Sequence, residues 1–96
     1  MKPSAVKTGS ACILNGKGLF YGTMFTTDGT NAITVDIYDS TTGSGTQIIP
    51  QWVITTHAAD RARTLSFALP LHVSNGIYVK TTCSGTLEYI VYFEER

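Results

Sequence analysis

Apolar and polar positions alternate along most of this chain with a period of two, and no window sustains the longer repeat of a helix. The clearest alternation runs through residues 18–27 (GLFYGTMFTT) and 31–39 (NAITVDIYD), on either side of Asp28-Gly29. Asp-Gly between two such segments predicts a β-hairpin, because a type I′ turn needs positive φ at both central residues. With a two-residue loop, Thr27 faces Thr30, Met24 faces Ile33, Gly22 faces Val35 and Phe20 faces Ile37. One face then carries Phe20, Met24, Ile33, Val35 and Ile37, and the other carries Tyr21, Thr23, Phe25, Thr34 and Asp36. Turn chemistry and apolar pattern select the same register.

A second hairpin is predicted from residues 75–82 (NGIYVKTT) and 86–94 (TLEYIVYFE), which flank Cys83-Ser84-Gly85. A three-residue loop with Gly85 in the left-handed position and a G1 bulge pairs Thr81 with Leu87, Val79 with Tyr89 and Ile77 with Val91. It also sets Lys80 opposite Glu88 as a cross-strand charge pair. The two hairpins share an order of Asn-Gly, aromatic strand, Thr-Thr, x-Gly-Thr turn and aromatic strand, an echo too short for a repeat array. Between them, STTGSG (40–45) reads as a surface loop, and Pro50 makes TQIIPQWVITTH (46–57) an edge strand or a bend. RTLSFALPLHV (63–73) sets Leu65, Phe67, Leu69, Leu71 and Val73 on one side, with Pro70 marking an edge or a kink. SACILNG (10–16) adds a strand, residues 1–9 read as an extended N-terminal arm, and HAADRAR (57–63) has room for one helical turn. Seven to eight short strands result, with turn signals every eight to twelve residues or so. The expected fold is a single all-β domain, an antiparallel β-sandwich that is jelly-roll-like or immunoglobulin-like.

Composition narrows the function more than it names one. Ninety-six residues make one domain. Seven basic and seven acidic side chains cancel, and no basic stripe exists to drive binding to nucleic acid or to an anionic membrane. The start, MKPSAVKTGSACIL, lacks the apolar run of a signal peptide, and no stretch approaches the roughly 18 apolar residues of a membrane span. Synthesis and assembly in a cytoplasm are therefore expected. Cys12 and Cys83 read as buried reduced thiols, with a single bridge as the other possibility.

No constellation argues for catalysis or for a resident ligand. STTGSGT lacks the lysine and the following helix of a phosphate-binding loop. Asp28, Asp36 and Asp39 do not follow the alternating-ligand pattern of a calcium loop; they read as a turn residue, an outer-face residue and a strand end. His57 and His72 have no partner at metal-ligand spacing, although His57 could bond Asp60 within a loop. There is no G-x-S-x-G elbow, and Glu88 and Glu94 are too far apart to argue an acid/base pair. The expectation is no catalytic residue, no cofactor, no metal and no small-molecule ligand.

The outward faces carry more. Tyr21, Phe25 and Tyr38 on the first hairpin join Tyr78, Ile90 and Tyr92 on the second as apolar groups aimed away from the core, and a contiguous set of that kind marks an interface. Trp52 reads as a core or sheet-edge residue and joins the interface candidates. The runs GLFYG, TTDGTN, ITVDIYDSTTGSGTQIIP and SNGIYVKTTCSGTLEYIVYF resemble small β-sandwich virion proteins of tailed bacteriophages, and the likeness covers roughly residues 16–93. HAADRAR departs most from that pattern, and Asp60, Arg61 and Arg63 are placed there as partner-specific contacts. The resemblance implies a non-enzymatic head decoration or cement protein. It would act in the virion as a homo-oligomer, a trimer among the candidate states, bound to other virion proteins such as the major capsid protein. A tail or baseplate attachment domain is the alternative structural role. A carbohydrate-binding or adhesin module, with Trp52 and the outer tyrosines as stacking platforms, is the alternative of a different class.

Overall fold

In the computed structural model, which describes residues 1–55 and 61–96, the period-two alternation becomes eight strands and no helix among the described residues. They are β1 (Lys2–Pro3), β2 (Ala11–Asn15), β3 (Gly18–Thr27), β4 (Ile33–Tyr38), β5 (Trp52–Ile54), β6 (Ala62–Val73), β7 (Gly76–Thr82) and β8 (Leu87–Glu95). Sheet A has the order β1-β8-β3-β6 and sheet B the order β2-β7-β4-β5, with every pair antiparallel. First pairs with last, second with seventh, third with sixth and fourth with fifth. That nested pairing is a jelly roll, so of the two expected sandwiches it excludes the immunoglobulin-like one. The inward side chains of both sheets meet in one core, where Phe20, Phe25, Ile33, Val35, Ile37, Ile77, Val79 and Val91 have no exposed surface.

Neither predicted hairpin forms. β3 and β4 lie in different sheets, as do β7 and β8, so Asp28-Gly29 and Cys83-Ser84-Gly85 are arches between sheets. Thr27 pairs with Leu87, Lys80 with Asp36 and Glu88 with Thr26, and none of the partners expected from the hairpin registers is seen. Gly29 alone in the first arch has positive φ, at 79°, whereas a type I′ turn would require it of Asp28 too. Gly85 has no positive φ. Alternation specifies which side chains enter a core, and it reads the same whether the next strand lies beside its neighbour or across the sandwich from it. The deciding interactions are side-chain bonds that close the arch, described below.

A bulge in β3 redirects the candidate surface. Phe20 pairs with Phe93 and Gly22 with Tyr92, so Tyr21 is an extra residue in the ladder. The alternation changes phase there: Thr23 and Phe25 point into the core and Met24 points out, with 40% of its surface exposed. The pattern predicted the reverse for all three, because a uniform period of two was carried across Gly22. Gly22 has φ of 150°, and a Cβ on it would overlap the Leu65 carbonyl oxygen and lie 3.0 Å from Ser66 Cα. On the other side β6 carries a longer insertion, since Phe20 pairs with Leu71 but Gly22 with Ser66. Leu69 rides on that insertion, 79% exposed, instead of facing inward with Leu65 and Phe67. Pro70 lies in the same insertion on an edge strand, and Pro50 sits just before the short edge strand β5, both as expected of residues without an N–H.

The residue-22 constraint is testable by denaturant unfolding. Gly22→Ala is expected to lower stability by about 2–3 kcal/mol through backbone strain and the clash with β6. Gly9→Ala, where a Cβ meets nothing within 4 Å, is expected to stay within about 0.5 kcal/mol of the parent.

Candidate functional site

The aspartates of the 26–46 stretch hold the fold. Asp28 Oδ1 accepts from the backbone N–H of Thr30 (2.8 Å) and Asn31 (2.9 Å), while Oδ2 accepts from Asn31 Nδ2 (2.9 Å) and the Thr86 N–H (3.2 Å). One carboxylate thereby joins the β3–β4 arch to the β7–β8 arch. Gly85 fits against it only because it has no side chain, as a Cβ there would overlap Asp28 Oδ2 and Asn31 Nδ2. At the opposite end Asp39 accepts from the N–H groups of Ser74 (3.1 Å), Asn75 (2.8 Å) and Gly76 (3.3 Å), so the end of β4 holds the β6–β7 arch. Asp36 lies on the outer face of sheet B as expected, yet it is buried, because Gln47 (2.8 Å) and Gln51 (3.3 Å) of the following loop donate to it. Both cysteines are unbridged, but Cys12 is exposed and Cys83 half-buried, where burial was expected.

The described interface candidates divide among five places. Tyr21, Ile90 and Tyr92 share the outer face of sheet A. Tyr21 and Tyr92 line an open hollow of about 280 Å³ with Thr64 and Ser66. Ile90 lines the adjacent one, about 150 Å³, with Val6, Met24 and Thr26. Met24 and Ile90 are cross-strand partners at the centre of this face. Tyr38 and Tyr78 are also cross-strand partners, on the outer face of sheet B. The chain's own 40–45 loop approaches Tyr78 there, since a Cβ on Gly43 would sit 3.3 Å from its ring.

Phe25 belongs to the core and leaves the candidate surface. It stacks on Tyr89 with ring centroids 4.8 Å apart and meets Trp52 edge-on at 5.8 Å. The bulge at Tyr21-Gly22 is the reason. Burial, with the neighbouring Tyr78 phenol, pushes the Tyr89 hydroxyl above its ordinary range, and that hydroxyl donates to the Gly9 carbonyl at 2.7 Å. Trp52 packs against the core from β5 and lines an open groove of about 310 Å³ with Ile49, Pro50, Leu65 and Phe67. Arg61 and Arg63 stand at the start of β6, where Arg63 donates to the carbonyls of Ala62 (2.9 Å) and Thr55 (3.4 Å). Asp60, His57 and most of HAADRAR lie outside the described residues.

Pattern reading missed Met24 and Val6. Val6 is 53% exposed on an arm that lies along β8, where Ser4 N–H donates to Val91 O (2.8 Å) and Lys7 exchanges two backbone bonds with Tyr89 (2.9 Å). Gly22 inside an alternating strand was the available signal for Met24, because a lone glycine there marks a bulge. Among the described residues, no group of three His, Cys, Asp or Glu is arranged to hold a metal ion. No helix is long and apolar enough to cross a membrane among the described residues. Comparison with protein-family models, curated proteins and solved structures gave no match.

Asp28 makes the stability of the arches pH-dependent. The backbone N–H of Asn31, followed by its side-chain amide and the Thr30 N–H, holds the carboxyl well below the ordinary carboxylate range. A depressed folded-state value contributes stability that is complete above the unfolded value, about 3.9, and is lost as pH falls toward the folded one. The urea midpoint is expected to fall progressively below about pH 4. Asp28→Asn is expected to lower the midpoint at pH 7 and to flatten that acid limb; an unchanged pH profile would contradict the assignment.

Proposed function

We propose that this chain is a non-enzymatic structural protein of a tailed-bacteriophage particle, a capsid decoration or cement protein that binds the shell as a homo-oligomer. The observation that carries the proposal is the convergence of Tyr21, Met24, Ile90 and Tyr92 on one sheet face, with the N-terminal arm at its margin and open hollows beside them among the described residues. An apolar set of this kind on a rigid body is a docking surface. The resemblance over residues 16–93 supports a particle component, and the jelly roll is a framework used repeatedly in viral shells and in lectins. Fold alone does not select a role, so the weight rests on the face and the resemblance. Acting on a repeated lattice, many such contacts add through multivalency, and no single contact has to be tight.

Quantitative mass spectrometry of purified phage particles from the source that encodes this chain tests the proposal. The expected result is its peptides at a copy number commensurate with the major capsid protein. A few copies per particle would favour the tail or baseplate role, and absence from the particle would overturn the proposal.

One observation favours a second reading. Trp52, the sole tryptophan, lines the groove between β5 and β6 beside Phe67, an arrangement on which a sugar ring could stack. Under this carbohydrate-binding alternative, intrinsic fluorescence titrated with host-surface polysaccharide is expected to shift and saturate. Under the decoration reading the emission stays unchanged.

A further inference from the structure

We propose that residues 2–9 form a releasable strap, which lifts from β8 as one unit while the sandwich stays folded and so opens one side of that strand. The device lies within one copy of the chain and does not depend on the role proposed above.

Polar contacts dominate the hold on the strap. Ser4 N–H donates to the Val91 carbonyl (2.8 Å), and the Val91 N–H donates back to Ser4 Oγ (3.0 Å). Lys7 and Tyr89 exchange two backbone bonds of 2.9 Å, and the Tyr89 hydroxyl donates to the Gly9 carbonyl (2.7 Å). Lys2 lies over the Phe93 ring at 5.3 Å, and its ion pair with Glu95 (3.1 Å) is exposed, so water and salt weaken it. Among the described residues, the apolar core and the side chains packed against it include none from the arm. A segment with exposed hydrogen bonds and little apolar burial opens at lower free energy than the fold around it. Each bond is exchanged for one to water, and the freed backbone regains conformational entropy. The unit ends at Gly9, because Ser10 is clipped to β7, where its hydroxyl accepts from the Thr81 N–H (2.9 Å). A Cβ on Gly9 would meet nothing within 4 Å, so the backbone has room to turn there.

The strand beneath is held independently of the strap. Leu87, Tyr89, Val91 and Phe93 are buried in the core, and β8 pairs with β3 along Leu87–Glu95. From β3, Thr23 Oγ1 also donates to the Ile90 carbonyl (2.8 Å). Successive residues of a strand aim their hydrogen-bonding groups at opposite neighbours, so Tyr89 and Val91 face the arm while Ile90 faces β3. Release of the strap therefore bares the N–H and C=O groups of Tyr89 and Val91 and leaves those of Ile90 paired. Residues 89–93 (YIVYF) carry no charge, glycine or proline, so a bared edge there is a template for strand addition. The closed strap guards that edge. Its release also withdraws Val6 from the hollow it lines with Met24 and Ile90.

Amide hydrogen exchange of the full chain, followed by NMR, tests this within a single strand. The Tyr89 and Val91 amides are expected to have protection factors about 100-fold lower than that of Ile90, which opens only with the sandwich. Ser4→Ala removes the acceptor of the Val91 N–H. Because the strap moves as a unit, this variant is expected to speed exchange about tenfold at Tyr89 as well as at Val91, with Ile90 at its parent rate. Equal protection of the three amides in the parent chain overturns the proposal. So does a Ser4→Ala variant in which Val91 alone is affected.

Discussion

A chain that leaves one sheet for the other cannot carry its ladder of hydrogen bonds around the corner. In this jelly roll nearly every connection is of that kind, with β4 to β5 the exception among consecutive strands. Each arch therefore leaves backbone N–H groups that need acceptors from elsewhere. Asp28 supplies them for the β3–β4 and β7–β8 arches at one end of the sandwich, and Asp39, at the end of β4, supplies them for the β6–β7 arch at the other. A short carboxylate suits the task because it accepts several N–H groups at once without donors of its own. Three of the crossings between the sheets are held by these two residues.

Within that frame, Gly22 decides what the outward face of sheet A displays. If β3 kept a uniform alternation, Phe25 would stand in solvent and Met24 in the core. The extra residue at Tyr21 instead sends Phe25 to stack on Tyr89 and frees Met24 to stand beside Ile90. A backbone irregularity thus serves packing and surface together: the core gains an aromatic cluster of Phe25, Tyr89 and Trp52. The surface gains a flexible thioether at its centre.

Fold class, strand positions and most of the core were legible in the sequence because they follow from alternation and propensity. Phe20, Ile37, Val79 and Val91 are all fully buried, as the alternation predicted, although the hairpin registers that grouped them do not form. Strand partners were not legible. Asp-Gly and Cys-Ser-Gly turns are equally good chemistry for a hairpin and for an arch, and the discriminating bonds run from Asp28 to Thr86, residues far apart in the chain. Of the candidate surface, Tyr21, Tyr38, Tyr78, Ile90 and Tyr92 lie on an outward face, as the alternation predicted. Phe25 was misplaced by a bulge whose only local mark is a glycine. The outward placement of Asp36 was legible, but its burial was not, since it depends on Gln47 and Gln51 folding back from a loop.

The edges of the two sheets are poor sites for pairing with another strand. An exposed edge strand offers unpaired N–H and C=O groups to any passing strand, and stable proteins blunt it. All four edges here are blunted. β1 is two residues long and ends in Pro3, β5 is three residues long and follows Pro50, β2 is bulged at Ile13, and β6 is interrupted by the insertion carrying Pro70. A regular strand added to any of them would lose register within a few residues. Association by extending a sheet is thereby disfavoured at every side of the molecule. What remains is packing of side chains against a sheet face. The loop lies over that of sheet B, and among the described residues the face built around Met24 and Ile90 is the more open of the two.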